Sequence, residues 1–515
     1  MKLAAILASV AALASLASTT QGYTNPITIK GYKMFDLKTG AYFAAKGIDY
    51  YPRPNTGTLD DNNIDFFTDD YVNVWSKDIE FLAATGANAV RLYAVDPSKS
   101  HDLFMCALRS YGMYALVDLG ASCVNCSISN DPYPACYSSV LKDRGEQIIT
   151  AFAKYDNVLA FSAGNEVNHV VTNPITNAPC QKKFIKDMRA FIMGCSATMR
   201  AIPVGVVSAD HMREANAKYY NCRTDANDKL ENAEWYGLNA YQYCDGTVTD
   251  VSQATGFTQM VTDFKSYKTS IPVMLTEFGC LNPNFPTVGD YAAQRTWLQA
   301  TWLHTPTFRD VFSGGFAFEF ATENANSKGD GTTTVVGQNS LFPFTAYGSQ
   351  NYGLGYYSPV TCDHKTTACT YIPMPNYKSL ATQYNATSFT GEVVMSAFTP
   401  DANRTATPAC PTGFPALADT TWAADKVASR ACPSTVLSFT CPSQVSSGTW
   451  AGSSVVTTTT TTPSTTTTTP GTATPAPGAT TAATGTSSAS QPLASGLATS
   501  VISACMALAI GVAFA

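Results

Sequence analysis

The chain runs to 515 residues with 32 basic and 38 acidic side chains, a formal net charge of −6, and only 14% charged against 45% apolar residues. That length and apolar fraction suffice for one large domain with appendages, and the lack of a basic surplus excludes a cationic face for nucleic acid. A weakly charged chain with 26 Tyr, 26 Phe and 6 Trp suits an uncharged polymer, which only hydrogen bonds and apolar ring faces can grip.

Met1-Lys2 and the apolar run Leu3 to Ala17, closed by small residues, have the layout of a secretory signal peptide occupying residues 1–22, with cleavage between Ala17 and Gly22. The run is short of the ~20 residues a membrane span needs. From Tyr42 to about Tyr384, apolar strand-like runs alternate with segments of helical period. Eight strands are predicted: Tyr42 to Ile48, Ala89 to Leu92, Tyr114 to Leu119, Val158 to Ala163, Val204 to Val207, Tyr236 to Ala240, Val273 to Thr276 and Gly315 to Phe320. The helical segments between them include Trp75 to Ala84, Leu103 to Ser110, Gly145 to Lys154, Lys182 to Arg200, Phe257 to Lys268 and Tyr291 to Leu303. Such alternation implies parallel pairing through right-handed crossovers, hence an α/β fold of the (β/α)8 barrel type over residues 23–398, with its site at the C-terminal ends of the strands. A doubly wound sheet is the alternative, but no Gly-rich phosphate loop follows any strand. Pro375 to Tyr384 reads as a closing helix.

Beyond the barrel, residues 399–450 form a small extension with Cys410, Cys432 and Cys441. Thr457 to Thr469 is nearly all Thr, and residues 451–490 as a whole cannot bury a core, so they read as an extended, O-glycosylated stalk. Val501 to Ala515 is apolar to the last residue, behind a polar spacer and the small residues Ser487-Ser488-Ala489-Ser490. This is the layout of a glycolipid-anchor signal over residues 491–515, whose removal leaves the protein on the outer face of the plasma membrane or in the wall. A C-terminal transmembrane helix is the alternative, for which fifteen apolar residues are short.

Two predicted strands end in carboxylates. Val158 to Val167 delivers Asn165 and Glu166 at the tip of strand 4, and Ile271 to Gly279 delivers Glu277 at the tip of strand 7. Two acids facing one another are what glycosidic cleavage needs, one to protonate the leaving oxygen and one to attack the anomeric carbon, with carboxyl groups ~5 to 5.5 Å apart in retaining enzymes. Asn165 can hydrogen-bond a sugar hydroxyl beside the acid, and Tyr241 can position the nucleophile. Tyr241, Tyr243 and the Tyr352 to Tyr357 segment are candidates for a platform that holds an acceptor sugar.

Asn165-Glu166-Val167, Gly237 to Cys244 and Thr276-Glu277-Phe278-Gly279-Cys280 resemble the motifs of glycoside hydrolase family 72, the cell-wall β-1,3-glucanosyltransferases. The likeness runs from about Ala41 to about Asn385 and includes Gly86 to Pro97, Ala115 to Leu119 and Phe312 to Gly315. It implies Glu166 as acid/base and Glu277 as nucleophile, Tyr93 and Asp118 as substrate contacts, β-1,3-glucan as donor and acceptor, and no cofactor. Where the family has Gln after the first strand's Tyr, this chain has Tyr51, so stacking is expected to replace an amide there. The family's spacing after strand 8 is broken by residues 326–349, read as an insertion over the rim between Glu323-Asn324 and Asn351-Tyr352-Gly-Leu354. Three cysteines are too few for the cysteine-rich carbohydrate-binding module that some relatives carry in place of residues 399–450. The rivals to a transferase are a retaining endo-β-glucanase that releases to water and a non-catalytic glucan-binding surface protein.

Of 15 cysteines, Cys505 lies in the expected anchor signal, and the other fourteen are expected to form disulfides in an oxidising compartment. The resemblance pairs Cys244 with Cys280. Cys180 and Cys195 flank one predicted helix and, at 1.5 Å per residue, stand roughly 22 Å apart, so each needs another partner. The family's partner for Cys106 is missing here, and one of Cys123, Cys126 or Cys136 is expected to replace it. Cys123-Val-Asn-Cys126 could be half a zinc site, but no His stands near it, and no two of the five His have metal-ligand spacing, so no metal is expected. Asn125, Asn385 and Asn403 begin glycosylation sequons, with Asn385 and Asn403, at the domain margin, the better candidates. A monomer is the expected state.

Overall fold

The computed structural model describes residues 24–58, 64–169, 171–324, 335–336, 342–348, 351–404 and 408–442. The expected signal peptide, stalk and anchor signal, and most of the expected insertion, lie outside the described residues. Eight parallel strands close a barrel: β1 (Ala45–Asp49), β2 (Ala89–Leu92), β3 (Tyr114–Asp118), β4 (Val158–Asn165), β5 (Val204–Ala209), β6 (Tyr236–Asn239), β7 (Val273–Phe278) and β8 (Phe312–Ala317). Each pairs with its neighbour in sequence, and β8 pairs with β1. The predicted (β/α)8 architecture is therefore the observed one. Strand burial is continuous because helices cover the outer face while side chains fill the interior.

The outer layer comprises α1 (Val72–Ala84), α2 (Asp102–Ser110), α3 (Ser139–Phe152), α4 (Ala178–Gly194), α5 (Arg213–Asn221), α6 (Thr255–Tyr267), the short α7 (Leu298–Trp302) and α8 (Pro306–Arg309), and a closing α9 (Pro375–Ala386). Helix α5 escapes the sequence pattern because its buried face rests on a few residues, Ala217, Tyr219 and Tyr220 among them, set in a polar run. The helix expected over Tyr291 to Leu303 shrinks to α7. Asp290, Ala293 and Trp297 all take left-handed backbone there, which an α-helix of L-residues cannot contain.

The predicted first strand is two pieces. Tyr42–Phe43 joins Ile27–Lys30 and Lys33–Asp36 in an antiparallel sheet, and only Ala45–Asp49 enters the barrel. Ile27, Met34 and Phe43 pack with Tyr114, Leu116, Val207, Met274 and Phe316, so this sheet plugs the end of the barrel opposite the carboxylates. Gly314 makes the closure of β8 onto β1 possible. Its φ is +85°, and a Cβ on it would stand 2.1 Å from the Ala45 carbonyl oxygen.

All fourteen cysteines among the described residues are paired. Cys180 and Cys195 indeed bond elsewhere, to Cys136 and Cys432. The partner of Cys106 is Cys441, not one of Cys123, Cys126 or Cys136. The expectation fails because Cys123 and Cys126 close on each other and Cys136 reaches α4, while the extension passes over α2.

That extension is a strap on the barrel's helices. Cys410 is tied to Cys222 beside α5, Cys432 to Cys195 at the end of α4, and Cys441 to Cys106 within α2. Between the staples, Leu417, Trp422 and Ala424 are buried with the barrel's own core. Lys142 of α3 donates to the Ala424 and Val427 carbonyls at 3.2 and 2.8 Å. Phe414 stacks on Tyr219 at 3.9 Å.

Candidate active site

Period-two alternation turns the last inward residue of several strands into one polar layer at the barrel's C-terminal end. Asp49 comes from β1, Arg91 from β2, Asp118 from β3, Asn165 from β4, Asn239 from β6 and Glu277 from β7. Glu166 follows β4 with φ +51°, a conformation uncommon for a non-glycine residue. The strand therefore stops abruptly, and the chain turns the Glu166 side chain to the same polar layer.

Arg91 is the hub, and the sequence reading missed it. Fully buried, its guanidinium donates to Asp118 at 2.9 Å, to the Asn165 side-chain oxygen at 2.9 Å and to Glu277 Oε1 at 3.2 Å. A single Arg inside the apolar strand Ala89-Val-Arg-Leu92 was the available signal, since a buried cation requires partners of opposite charge. Asp118 lies behind Arg91, 4% exposed, with both carboxylate oxygens directed at that guanidinium.

Glu277 accepts three more or less convergent hydrogen bonds. Besides Arg91, the Tyr93 hydroxyl lies 3.1 Å from Oε1, and the Tyr241 hydroxyl donates to Oε2 at 2.8 Å. Glu166 receives one, from the Asn239 amide at 2.9 Å. Thr276 donates to the Asn239 oxygen at 2.8 Å, which fixes which end of that amide faces Glu166. Asn165 has its oxygen occupied by Arg91 and by Asn239 (3.2 Å), so what it offers a ligand is its NH2 donor.

Burial raises the proton affinity of both carboxylates. Glu277 is pushed up to about 7 by burial and then by the charge on Glu166, against the pull of Arg91, Tyr241 and Tyr93. Glu166 is raised by burial, opposed by Asn239 and Arg91. Two such neighbours do not both ionise freely, so ionising one raises the proton affinity of the other. Donor count decides where the proton resides. A guanidinium and two phenols hold the anion on Glu277, whereas a single neutral amide faces Glu166. With the proton on Glu166, its repulsion of Glu277 vanishes.

The aromatic candidates separate into two groups. The Tyr241 ring lies 5.7 Å from Tyr352 and 6.2 Å from Phe318, beside Glu277. Tyr243, Tyr356 and Tyr357 are core residues. Tyr243 packs against Phe285 and Trp302, Tyr356 against Phe342 and Phe344, and Tyr357 hydrogen-bonds buried Asp78. The spacing of Tyr356 and Tyr357 on the strand Gly355–Ser358 could not disclose that both faces of it are covered. Tyr51 is 5% exposed, its hydroxyl on the Ile64 carbonyl at 2.9 Å and its ring between the Arg53 guanidinium (4.2 Å) and Tyr93 (6.1 Å).

The rim is tied by two further devices. Cys244 and Cys280 bond after β6 and β7. Arg295, fully buried, donates to the carbonyls of Gly279 (2.9 Å), Phe318 (2.7 Å) and Tyr352. The segments on either side of the insertion are thereby brought back together. Thr322 donates to the Asn351 side chain at 2.7 Å, and the Gly353 N–H donates to Thr322 at 3.0 Å. Among the described residues no cluster of side chains could hold a metal ion, and no helix is long and apolar enough to cross a membrane.

Residues 16–342 match the model of a protein family described as Glucanosyltransferase, glycoside hydrolase family 72. The 1,3-beta-glucanosyltransferase gas4 of Schizosaccharomyces pombe is 35% identical over 306 residues, covering 58% of this chain and 61% of that protein. The 1,3-beta-glucanosyltransferase GAS5 of Saccharomyces cerevisiae is 32% identical over 319 residues, covering 61% of this chain and 60% of that protein. The matched part thus spans about three fifths of the length of these curated relatives. Among solved structures, Saccharomyces cerevisiae Gas2p in complex with laminaripentaose superposes with a TM-score of 0.56 at 26% identity, over 75% of this chain and 74% of that one.

Proposed function

The chain belongs to glycoside hydrolase family 72, the glucanosyltransferase family, and from that premise we propose that it is a retaining β-1,3-glucanosyltransferase. It cleaves a β-1,3-glucan chain and transfers the new end to a second chain. The observation that carries this reading is the unequal support of two neighbouring carboxylates, three donors on Glu277 and one on Glu166. Glu277 attacks the anomeric carbon as an anion while Glu166 gives its proton to the departing sugar oxygen, leaving a covalent glycosyl ester on Glu277. Glu166, now ionised, takes the proton of the incoming hydroxyl as that oxygen displaces Glu277. Asn165 donates to the 2-hydroxyl of the reacting sugar, and Tyr93 and Tyr241 hold the Glu277 carboxylate in line. Asp118 serves through Arg91, and Tyr51 through Tyr93 and Arg53.

Water is about 55 M in bulk, so transfer prevails only where a bound acceptor hydroxyl is held in line with the ester. Tyr241 and Tyr352 form the acceptor platform. A single laminari-oligosaccharide, the ligand class named for the Gas2p complex, should give products longer than itself together with shorter ones. Shorter products and free reducing ends alone, at millimolar substrate, would make the protein a hydrolase.

The same reading places the protein outside the cell. Residues 1–22 are removed as a signal peptide, residues 491–515 are exchanged for a glycolipid, and residues 451–490 form the stalk. Asn385 and Asn403 are both exposed and suit N-glycosylation. Phospholipase that cleaves the glycolipid should release the protein from membranes, and finding Val501 to Ala515 in the mature chain by mass spectrometry would contradict the anchor.

A further inference from the structure

Asp49, at the tip of β1, is 1% exposed and has no place in the chemistry above. Its Oδ1 lies 3.0 Å from the Tyr93 hydroxyl, and that hydroxyl lies 3.1 Å from Glu277 Oε1. Both distances are those of hydrogen bonds. A phenol has one proton. It can donate to one of these carboxylates and must accept from the other, so one carboxyl group of the two carries a proton.

The partners of each acid decide which. Glu277 also receives Arg91 and Tyr241. Asp49 Oδ2 is buried and meets no donor among the described residues. A buried anionic oxygen without a donor is far costlier than a neutral carbonyl oxygen in the same position. The charged and titratable groups that face Asp49 are Arg91 of β2, Tyr93 just after it, Asp118 of β3, Glu277 of β7, Glu319 after β8, and Tyr384 of α9. Of these only Arg91 is a cation, and its donors are directed at Asp118, Asn165, Glu277 and the Thr276 carbonyl.

We propose that Asp49 is a neutral acid in the working enzyme and donates to the Tyr93 hydroxyl, obliging Tyr93 to direct its own proton at Glu277. Asp49 is thus a positioning residue, acting on the nucleophile through Tyr93. Burial drives its proton affinity well up, which agrees with the hydrogen-bond count. The consequence is functional. An ionised Asp49 would compete with Glu277 for the Tyr93 proton and repel its charge, whereas a neutral one turns the phenol into an obligatory donor to Glu277.

This inference rests on reading Glu277 as the nucleophile, so the test includes a readout that does not depend on turnover. Infrared difference spectra of the whole secreted protein, wild type minus Asp49→Asn, at a pH above the ordinary carboxylate range, should show the carbonyl stretch of a protonated carboxylic acid. In Tyr93→Phe that band should persist but move, because its hydrogen-bond acceptor is gone. Loss of an ionised carboxylate band in Asp49→Asn, or a band unmoved by Tyr93→Phe, overturns the proposal. The acid limb of the kcat/KM profile gives a second reading. Exchanging a neutral acid for a neutral amide should leave it in place, whereas removing an anion from beside Glu277 would move it down by about one pH unit. Such a fall also overturns the proposal. If Glu277 proves not to be the nucleophile, the infrared result still decides the protonation of Asp49.

Discussion

A carboxylate at a strand tip acquires its role from the donors around it, and here those donors are unequal. Glu277 faces Arg91, Tyr93 and Tyr241, and Glu166 faces Asn239. Glu166→Gln and Glu277→Gln are each expected to lower turnover on a glucan oligomer by ~10²- to 10⁴-fold with an unchanged unfolding temperature. A near-normal rate in either would remove that residue from the mechanism. The pH profile should be bell-shaped, and its two limbs belong to the coupled pair. Activity rises as Glu277 loses its proton and falls as Glu166 loses its own. The Asn239 hydrogen bond favours the anion on Glu166. Asn239→Ala should therefore raise the proton affinity of Glu166 and carry the alkaline limb to higher pH, and an alkaline limb that moved down would show that another group titrates there.

At the scale of elements, the rim depends on a segment that is not the helix its composition promises. Residues 290–297 follow an irregular path with three left-handed residues, and that path points Arg295 inward. One guanidinium then holds the loops after β7 and β8 and the Tyr352 loop by their carbonyls. Arg295→Leu leaves those carbonyls without a donor and should cost about 3 kcal/mol of stability. The same change frees Tyr352 from its place beside Tyr241, so transfer should fall relative to hydrolysis in the products of a single oligosaccharide. An unchanged ratio together with a lowered unfolding temperature would confine Arg295 to a structural part.

At the scale of the whole molecule, residues 408–442 bind the helices on one side of the barrel through staples whose partners lie 188, 237 and 335 residues apart. Long closed loops lose the most unfolded-state entropy to a cross-link. Replacing either Cys222 and Cys410 or Cys106 and Cys441 by Ser should therefore cost ~2 to 4 kcal/mol, measured by reversible denaturation of the secreted protein. Removing residues 408–442 altogether should uncover the thiols of Cys106, Cys195 and Cys222 to titration under native conditions. A truncated protein with unchanged unfolding behaviour would show that the strap contributes nothing to the barrel.

What the sequence determined by itself is local in origin. Runs of four to eight apolar residues alternating with helical period are decided within each run, and they marked all eight barrel strands together with Glu166 and Glu277 at two tips. The helix spacing that forbade Cys180 to Cys195 is local in the same sense. What only the tertiary structure decided depends on direction and proximity across the barrel. Arg91 was legible as a buried charge, but its partners come from three other strands. Tyr241 and Tyr243 differ by two residues, yet one hydroxyl meets Glu277 and the other the Val248 carbonyl. Cys106 found its partner 335 residues away because the strap passes over α2. Asp49 lies just past the first predicted strand, and only the closed barrel brings it beside Tyr93, where one phenolic proton is too few for two carboxylates.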